Sequence, residues 1–255
     1  MKLTILGSGT SIGVPVAGCN CQVCSSSDPH DKRLRTSAMV HTDEGQVILL
    51  DCGPDFREQG LRLKVFEKID GILITHQHYD HVSGLDDLRP YSVFGDIPIY
   101  AEEWVAQDLR TRMPYALKEH IYPGRPRIYM NEIKPFINFS VGGTDVMPLR
   151  VMHGQLPILG YVIGGKLGYI TDMLTMPEES FCALKGVEVM VINALRQKEH
   201  PTHQTLEQAI EVAKQIGAKH TFFTHMSHDM GLHRYVNQNL PVGMALAYDG
   251  MELTF

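Results

Sequence analysis

Thr75-His76-Gln77-His78-Tyr79-Asp80-His81 places three histidines and an aspartate in one short run, directly after the apolar stretch Gly71 to Thr75. Imidazole nitrogens and carboxylate oxygens together suit zinc, manganese or iron. Side chains alternate along an extended segment, so His76 and His78 can grip one ion together. Asp80 and His81 fall past the bend and can face a second ion. Three later residues are equally competent. His153 follows a run ending at Val151, Asp172 follows Tyr169-Ile170-Thr171, and His225 follows Thr221-Phe222-Phe223-Thr224. Taken singly, each has an ordinary alternative: a loop histidine, a helix N-cap, a core hydrogen-bonder. Recurring at successive strand ends, they are what a packed sheet presents along one edge. A second cluster, Cys19-Asn20-Cys21-Gln22-Val23-Cys24, has the spacing of three thiolates folding round one small ion. Structural zinc wants four ligands, and His228, three residues beyond His225, is the expected fourth.

These residues need strands to carry them. Lys2 to Leu6, Gln46 to Leu50, Gly71 to Thr75, Ile97 to Tyr100, Asp145 to Val151 and Leu159 to Ile163 read as strands. So do Leu167 to Thr171, Val187 to Ile192, His220 to Thr224, Met244 to Ala247 and Glu252 to Phe255. A helix is expected around Glu102 to Thr111. The clearest helix is Thr205 to Ile216, where Leu206, Ala209, Ile210, Ala213 and Ile216 recur at helical spacing and Gly217 stops it. Strands dominate the first half, and strands alternate with helices in the second. No repeat, low-complexity tract or flexible linker interrupts the chain, so one domain over residues 1–255 is expected. Pro114 to Pro135, rich in proline and mixed charge, reads as an irregular insertion or lid.

The chain has 255 residues, 44% hydrophobic and 20% charged, which excludes disorder and fibrous repeats. No apolar run reaches the roughly 20 residues of a membrane span, so no membrane partner is expected. With 23 basic and 29 acidic residues the net charge is −6, which argues against broad binding to nucleic acid. Five cysteines, an odd number with three of them crowded together, argue against a disulfide framework. Val16-Ala17-Gly18-Cys19 has the look of a lipoprotein cleavage site. The segment before it is broken by Gly7, Ser8, Gly9, Thr10 and Pro15, so it lacks a continuous apolar centre. The expected location is the cytoplasm.

His76-Gln77-His78-Tyr79-Asp80-His81, followed in order by His153, Asp172 and His225, resembles the signature of the metallo-β-lactamase superfamily. The resemblance covers nearly the whole chain, from Gly7-Ser8-Gly9-Thr10 to Tyr248-Asp249-Gly250. It implies an α/β (α+β) fold, a four-layer αββα sandwich with two metals at one edge of the sheets. By that analogy His76, His78 and His153 hold one divalent metal, and Asp80, His81 and His225 hold the other. Asp172 bridges them, and Asp51 supports the site from behind. Cys19-Asn20-Cys21-Gln22-Val23-Cys24 with a distant Ser227-His228 resembles the phosphodiesterases of the bacterial carbon–phosphorus lyase pathway. They share Gly13-Val14-Pro15, Thr224-His225-Met226-Ser227-His228 and Asp249-Gly250-Met251-Glu252, and the resemblance implies one structural zinc. Relatives in that group are often homodimers, so a homodimer is expected by analogy.

Two divalent ions, zinc or manganese, can share a hydroxide and offset charge on a phosphodiester. A proton for the departing alkoxide has to come from the protein. His203, just before the Thr205 helix, is the expected donor, where the related phosphodiesterases also place a histidine. Its ordinary alternative is a helix cap or a solvent-facing side chain. His200 is a weaker substitute, and His120, His220 and His233 have no motif behind them. Asp80 and His203 are therefore the expected catalytic residues, and a small phosphodiester, cyclic or open, the expected substrate. Three alternatives stay open. A tRNA 3′-processing-type endonuclease shares the metal set but carries a basic arm not seen here. A thioesterase or lactonase would turn the same hydroxide on a carbonyl. A metal-binding sensor would use the centre without turnover.

Overall fold

The computed structural model describes residues 1–117 and 124–255, so His120 lies outside the described residues. Two mixed sheets of seven described strands each pack face to face. The first contains β1 (Lys2–Gly7), β2 (Ser37–His41), β3 (Val47–Leu50), β4 (Gly71–Leu73), β5 (Ile97–Glu102) and β6 (Ile128–Ile133). The second contains β7 (Phe139–Val141), β8 (Thr144–His153), β9 (Leu156–Ile163), β10 (Leu167–Ile170), β11 (Val189–Asn193), β12 (His220–Thr224) and β13 (Met244–Leu246). The last strand, β14 (Glu252–Thr254), returns to the first sheet beside β1, in the order β14-β1-β2-β3-β4-β5-β6. The second sheet runs β13-β12-β11-β10-β9-β8-β7.

Both faces of each sheet are buried, and the alternation of side chains decides which layer each one joins. Ile48 and Leu50 point into the core between the sheets, where they join Tyr161, Leu167, Val189 and Val191. Their neighbours Val47 and Leu49 turn outward under α1 (Phe56–Arg62) and α3 (Glu103–Arg112). On the second sheet Met190, Ile192 and Phe223 turn outward under α5 (Glu178–Leu184) and α6 (Leu206–Ile216). Helix, sheet, sheet and helix therefore stack in four layers, as the family resemblance implied. Shorter helices are α2 (Tyr79–Val82), α4 (Pro114–Leu117) and α7 (His233–Asn237). No described helix is long and apolar enough to cross a membrane.

The segment read as irregular between Pro114 and Pro135 is corrected in part. It contains α4 and the edge strand β6, which pairs in parallel with β5 from Ile97↔Ile128 to Glu102↔Ile133. Only its two end residues, Ile128 and Ile133, are buried, so the apolar signal of an inner strand is missing.

The boundaries of α6 follow from its caps. Thr205 accepts from the Gln208 backbone N–H at 3.2 Å, while the Gln208 side chain accepts from the Thr205 N–H at 2.9 Å. Gly217 closes the other end in the left-handed region at φ 73°. Thr205→Ala removes one half of the reciprocal cap and should cost about 1 kcal/mol. For a chain of this size that lowers the melting temperature by roughly 2–4 °C, measurable by calorimetry.

Candidate metal centre

The candidate residues gather at the carboxyl ends of the strands, where open α/β sheets place their ligands. Asp51 follows β3, His76 to His81 follow β4, and His153 ends β8. Asp172 follows β10 and His225 follows β12. Asp51, Asp172 and His225 have φ of 55°, 56° and 58°; Phe136 is the other non-glycine residue with positive φ among the described residues. A left-handed residue at a strand end turns the chain sharply. For residues other than glycine it costs on the order of 1 kcal/mol or more, so such strain collects where function needs it.

Asp51 organises the turn that carries most of the candidate ligands. Its carboxylate accepts from the Thr75 N–H at 2.8 Å and hydroxyl at 2.9 Å, and from His81 Nδ1 at 2.7 Å. That bond leaves His81 Nε2 to face the site, as an orienting carboxylate does for a metal-bound histidine. Gly53 lets the backbone of this turn approach: a Cβ there would lie 2.0 Å from the Asp80 carbonyl oxygen.

Asp80, His81, Asp172 and His225 offer ligand atoms that all lie within 4.8 Å of one another. His81 Nε2 is 3.1 Å from Asp80 and 3.2 Å from Asp172, and His225 Nε2 is 3.2 Å from Asp172. Yet both Nε2 atoms are buried without a hydrogen-bond partner among the described residues. Donor atoms that crowd without bonding to each other are aimed at a shared point, and a cation there would satisfy them all. The charges agree. Burial would lower His81, but Asp80, Asp172 and Asp51 outweigh it and hold it well above the usual imidazole range. Burial would raise Asp172, but His225 and His81 outweigh it and hold it well below the usual carboxylate range.

Asp172 also belongs to a second group, with His153 and His203. His76 and His78 adjoin it. Their facing nitrogens are 3.0 Å apart, and the ring centroids of His76 and His78 lie 5.9 and 5.3 Å from that of His153. The apposition thus brings His203 beside His153, where the sequence placed it outside both ligand sets. Neither helix-cap alternative survives: the helix after Asp172 begins only at Glu178, and Thr205, not His203, caps α6. His203 is buried, stacked on His225 at 5.1 Å, with Nδ1 3.8 Å from Asp172. Burial and then His225 push it down to about 3.

Cys19, Cys21 and Cys24 converge on His228 Nδ1 at 3.3, 3.3 and 3.5 Å. Zn–S of about 2.3 Å and Zn–N of about 2.0–2.1 Å in a tetrahedron put the S···N edge at about 3.5 Å. The four atoms therefore match the edges of a zinc site. The Cys24 N–H holds the Cys21 thiol down to about 6, whereas burial pushes Cys24 up to about 11.

Two supporting residues escaped the sequence. Arg33, fully buried, donates to the Ser227 carbonyl at 2.8 Å and the Gly231 carbonyl at 3.3 Å, which bracket His228. Asn193 grips both polar groups of the Met173 backbone at 2.8 and 2.9 Å, fixing the bend at Asp172. The one signal for Asn193 was a polar residue closing the apolar run Val189-Met190-Val191-Ile192.

The solved structure of a new diphosphatase from the PhnP family superposes with a TM-score of 0.90 at 44% identity, covering 99% of this chain and 96% of that one. An octanoyltransferase of Porphyromonas gingivalis is 46% identical over 253 residues, which are 99% of this chain and 51% of that protein. The chain thus spans about half of that relative's length. Coenzyme PQQ synthesis protein B of Methylorubrum populi is 32% identical over 228 residues, 76% of this chain and 72% of that protein. Residues 46–226, well over half of the chain, match the model of the beta-lactamase superfamily domain. With the four-layer fold, the chain belongs to the beta-lactamase superfamily and has the fold of its metallo-hydrolases.

Proposed function

We propose that the protein is a phosphodiesterase acting on a small phosphodiester or diphosphate diester at a dinuclear centre. The observation that carries this reading is Asp172, shared between two groups of ligand-competent residues whose buried nitrogens lack partners. His76, His78 and His153 would hold one ion, Asp80, His81 and His225 the other, and Asp172 both. Bound zinc or manganese would supply an activated water near neutral pH and offset charge on phosphoryl oxygens. Asp51 keeps His81 in one orientation, and burial of the cluster keeps bulk water from competing for the same atoms. Cys19, Cys21, Cys24 and His228 would hold a separate structural zinc. The diphosphatase neighbour supports a phosphorus centre as the target.

His203 lies beside the cluster and is the residue placed to manage the leaving group's proton. Burial and the neighbouring imidazoles favour its neutral form, and the negative charge of an arriving phosphate favours the imidazolium. His203→Ala should slow an alkyl phosphodiester by roughly 10²–10⁴-fold. A nitrophenyl ester, whose leaving group departs as a stable anion, should slow far less. Equal slowing of both substrates would mean that His203 holds the phosphate instead.

Attack of the same hydroxide on an acyl carbonyl is the second reading, since a relative of which this chain matches 51% is an octanoyltransferase. Protein reconstituted with zinc or manganese is to be offered a diphosphate diester, a ribose cyclic phosphate, a thioester and a lactone. Turnover of a phosphorus ester with little of the carbonyl substrates is the expected result. Preference for the thioester would replace the first reading with the second.

A further inference from the structure

A cavity of about 200 Å³ lies between the ligand turn and α3. Tyr79, one of its walls, stands in sequence between His78 and Asp80 and is 72% exposed, a large aromatic surface left open to water beside the metal cluster. Tyr115, a second wall, donates its hydroxyl to Asp86 at 2.6 Å, which fixes its ring. Val82, Leu109 and Met113 supply apolar surface. Arg112 donates from Nη1 to the Gln77 carbonyl at 2.9 Å, tying α3 to the segment between His76 and His78. Asp86, a further wall, keeps its side chain 40% exposed.

These features define what fits. The volume is below the roughly 300–1,000 Å³ that encloses a drug-sized ligand, so it takes one ring system and not a whole substrate. Two tyrosine rings offer faces for stacking, which any planar heterocycle can use. A carboxylate in the wall accepts from an exocyclic amino group on the edge of such a ring. We infer that this cavity is a subsite for the aromatic base of a nucleotide-type substrate, whose phosphate sits at the adjoining ligand cluster. The position of the phosphate rests on the hydrolase reading above. The base pocket itself rests on the walls of the cavity.

Binding separates the two. Adenosine 5′-monophosphate and ribose 5-phosphate differ by the base alone, and titration calorimetry on the metal-loaded protein compares them without turnover. The adenine nucleotide should bind at least about tenfold more tightly, within the range for stacking on an aromatic side chain. Tyr79→Ala should erase most of that preference. Tyr79→Phe should keep it, because the ring face does the stacking. Equal binding of the two ligands to the unaltered protein, or no measurable binding of either, overturns the subsite. A preference that survives Tyr79→Ala overturns it as well. A base preference in a protein that turns over no phosphorus ester upholds the subsite and refutes the hydrolase reading, and turnover without base preference does the reverse.

Discussion

Asp172→Ala should abolish hydrolysis and weaken both ions of the pair together. Its carboxylate stands within 3.2 Å of His81 on one side and of His225 on the other, and it is shared with the His153 and His203 group. Removing it leaves Asp80 as the one remaining carboxylate against His81 and His225, and takes away the carboxylate that the His153 and His203 group shares. The expected fall in kcat/KM is at least about 10³-fold, beyond the 10–100-fold typical of a residue that only supports a ligand. Asp51→Asn supplies that comparison, because Asp51 touches the cluster through His81 and Thr75. Metal analysis alongside the kinetics decides the role. Loss of a single ion in Asp172→Ala would make it a terminal ligand of one metal.

Cys21→Ser should lose one zinc per chain and leave the catalytic pair in place. Cys21 is exposed, so the substitution opens no cavity, and the loss of stability reports the metal. An ion bound only by the folded chain stabilises it by about 4 kcal/mol at a thousandfold excess over its Kd. For a chain of this size that corresponds to roughly 8–16 °C in melting temperature. The drop should vanish when wild type and variant are compared after exhaustive chelation, since metal binding and folding are linked. Equal zinc in the two proteins would refute the site. Because His228 lies three residues from His225, a second measurement is informative: catalytic metal content should fall only when the Cys21→Ser protein is warmed toward its own transition.

The ligand run was legible because chemistry concentrated it: His76 to His81 share one turn, and a strand-like run precedes them. His153, Asp172 and His225 were legible through the apolar strands they terminate. What brings those ends together was not. Asn193 and Arg33 act on backbone groups at Met173, Ser227 and Gly231, contacts that depend on the packing of distant segments. His203 was placed near the site but outside its geometry, since the approach of its loop to His153 is set by tertiary contact, through the bond from His153 to the Thr202 carbonyl at 3.0 Å. Among the strands, β2, β6 and β7 went unread, and among the helices so did α1, α2, α4, α5 and α7. Ser37-Ala38-Met39-Val40-His41 is buried nearly throughout and shows no alternation, while β6 and β7 present exposed positions at the edges of their sheets.

The chain from β5 to β6 carries none of the candidate metal ligands, yet α3, α4 and the residue between them supply Leu109, Tyr115 and Met113 to the cavity beside them. Every proposed ligand sits on another connection, pinned by strands that pair across both sheets. Provided the Arg112 bond to the Gln77 carbonyl is kept, evolution can therefore exchange the rest of this crossover, altering its length and its aromatic residues, without moving a ligand atom. Two descendants of such a chain would keep one hydrolytic apparatus and diverge in what they recognise. Transplanting residues 103–127 between relatives should move substrate preference with them while the metal content stays the same.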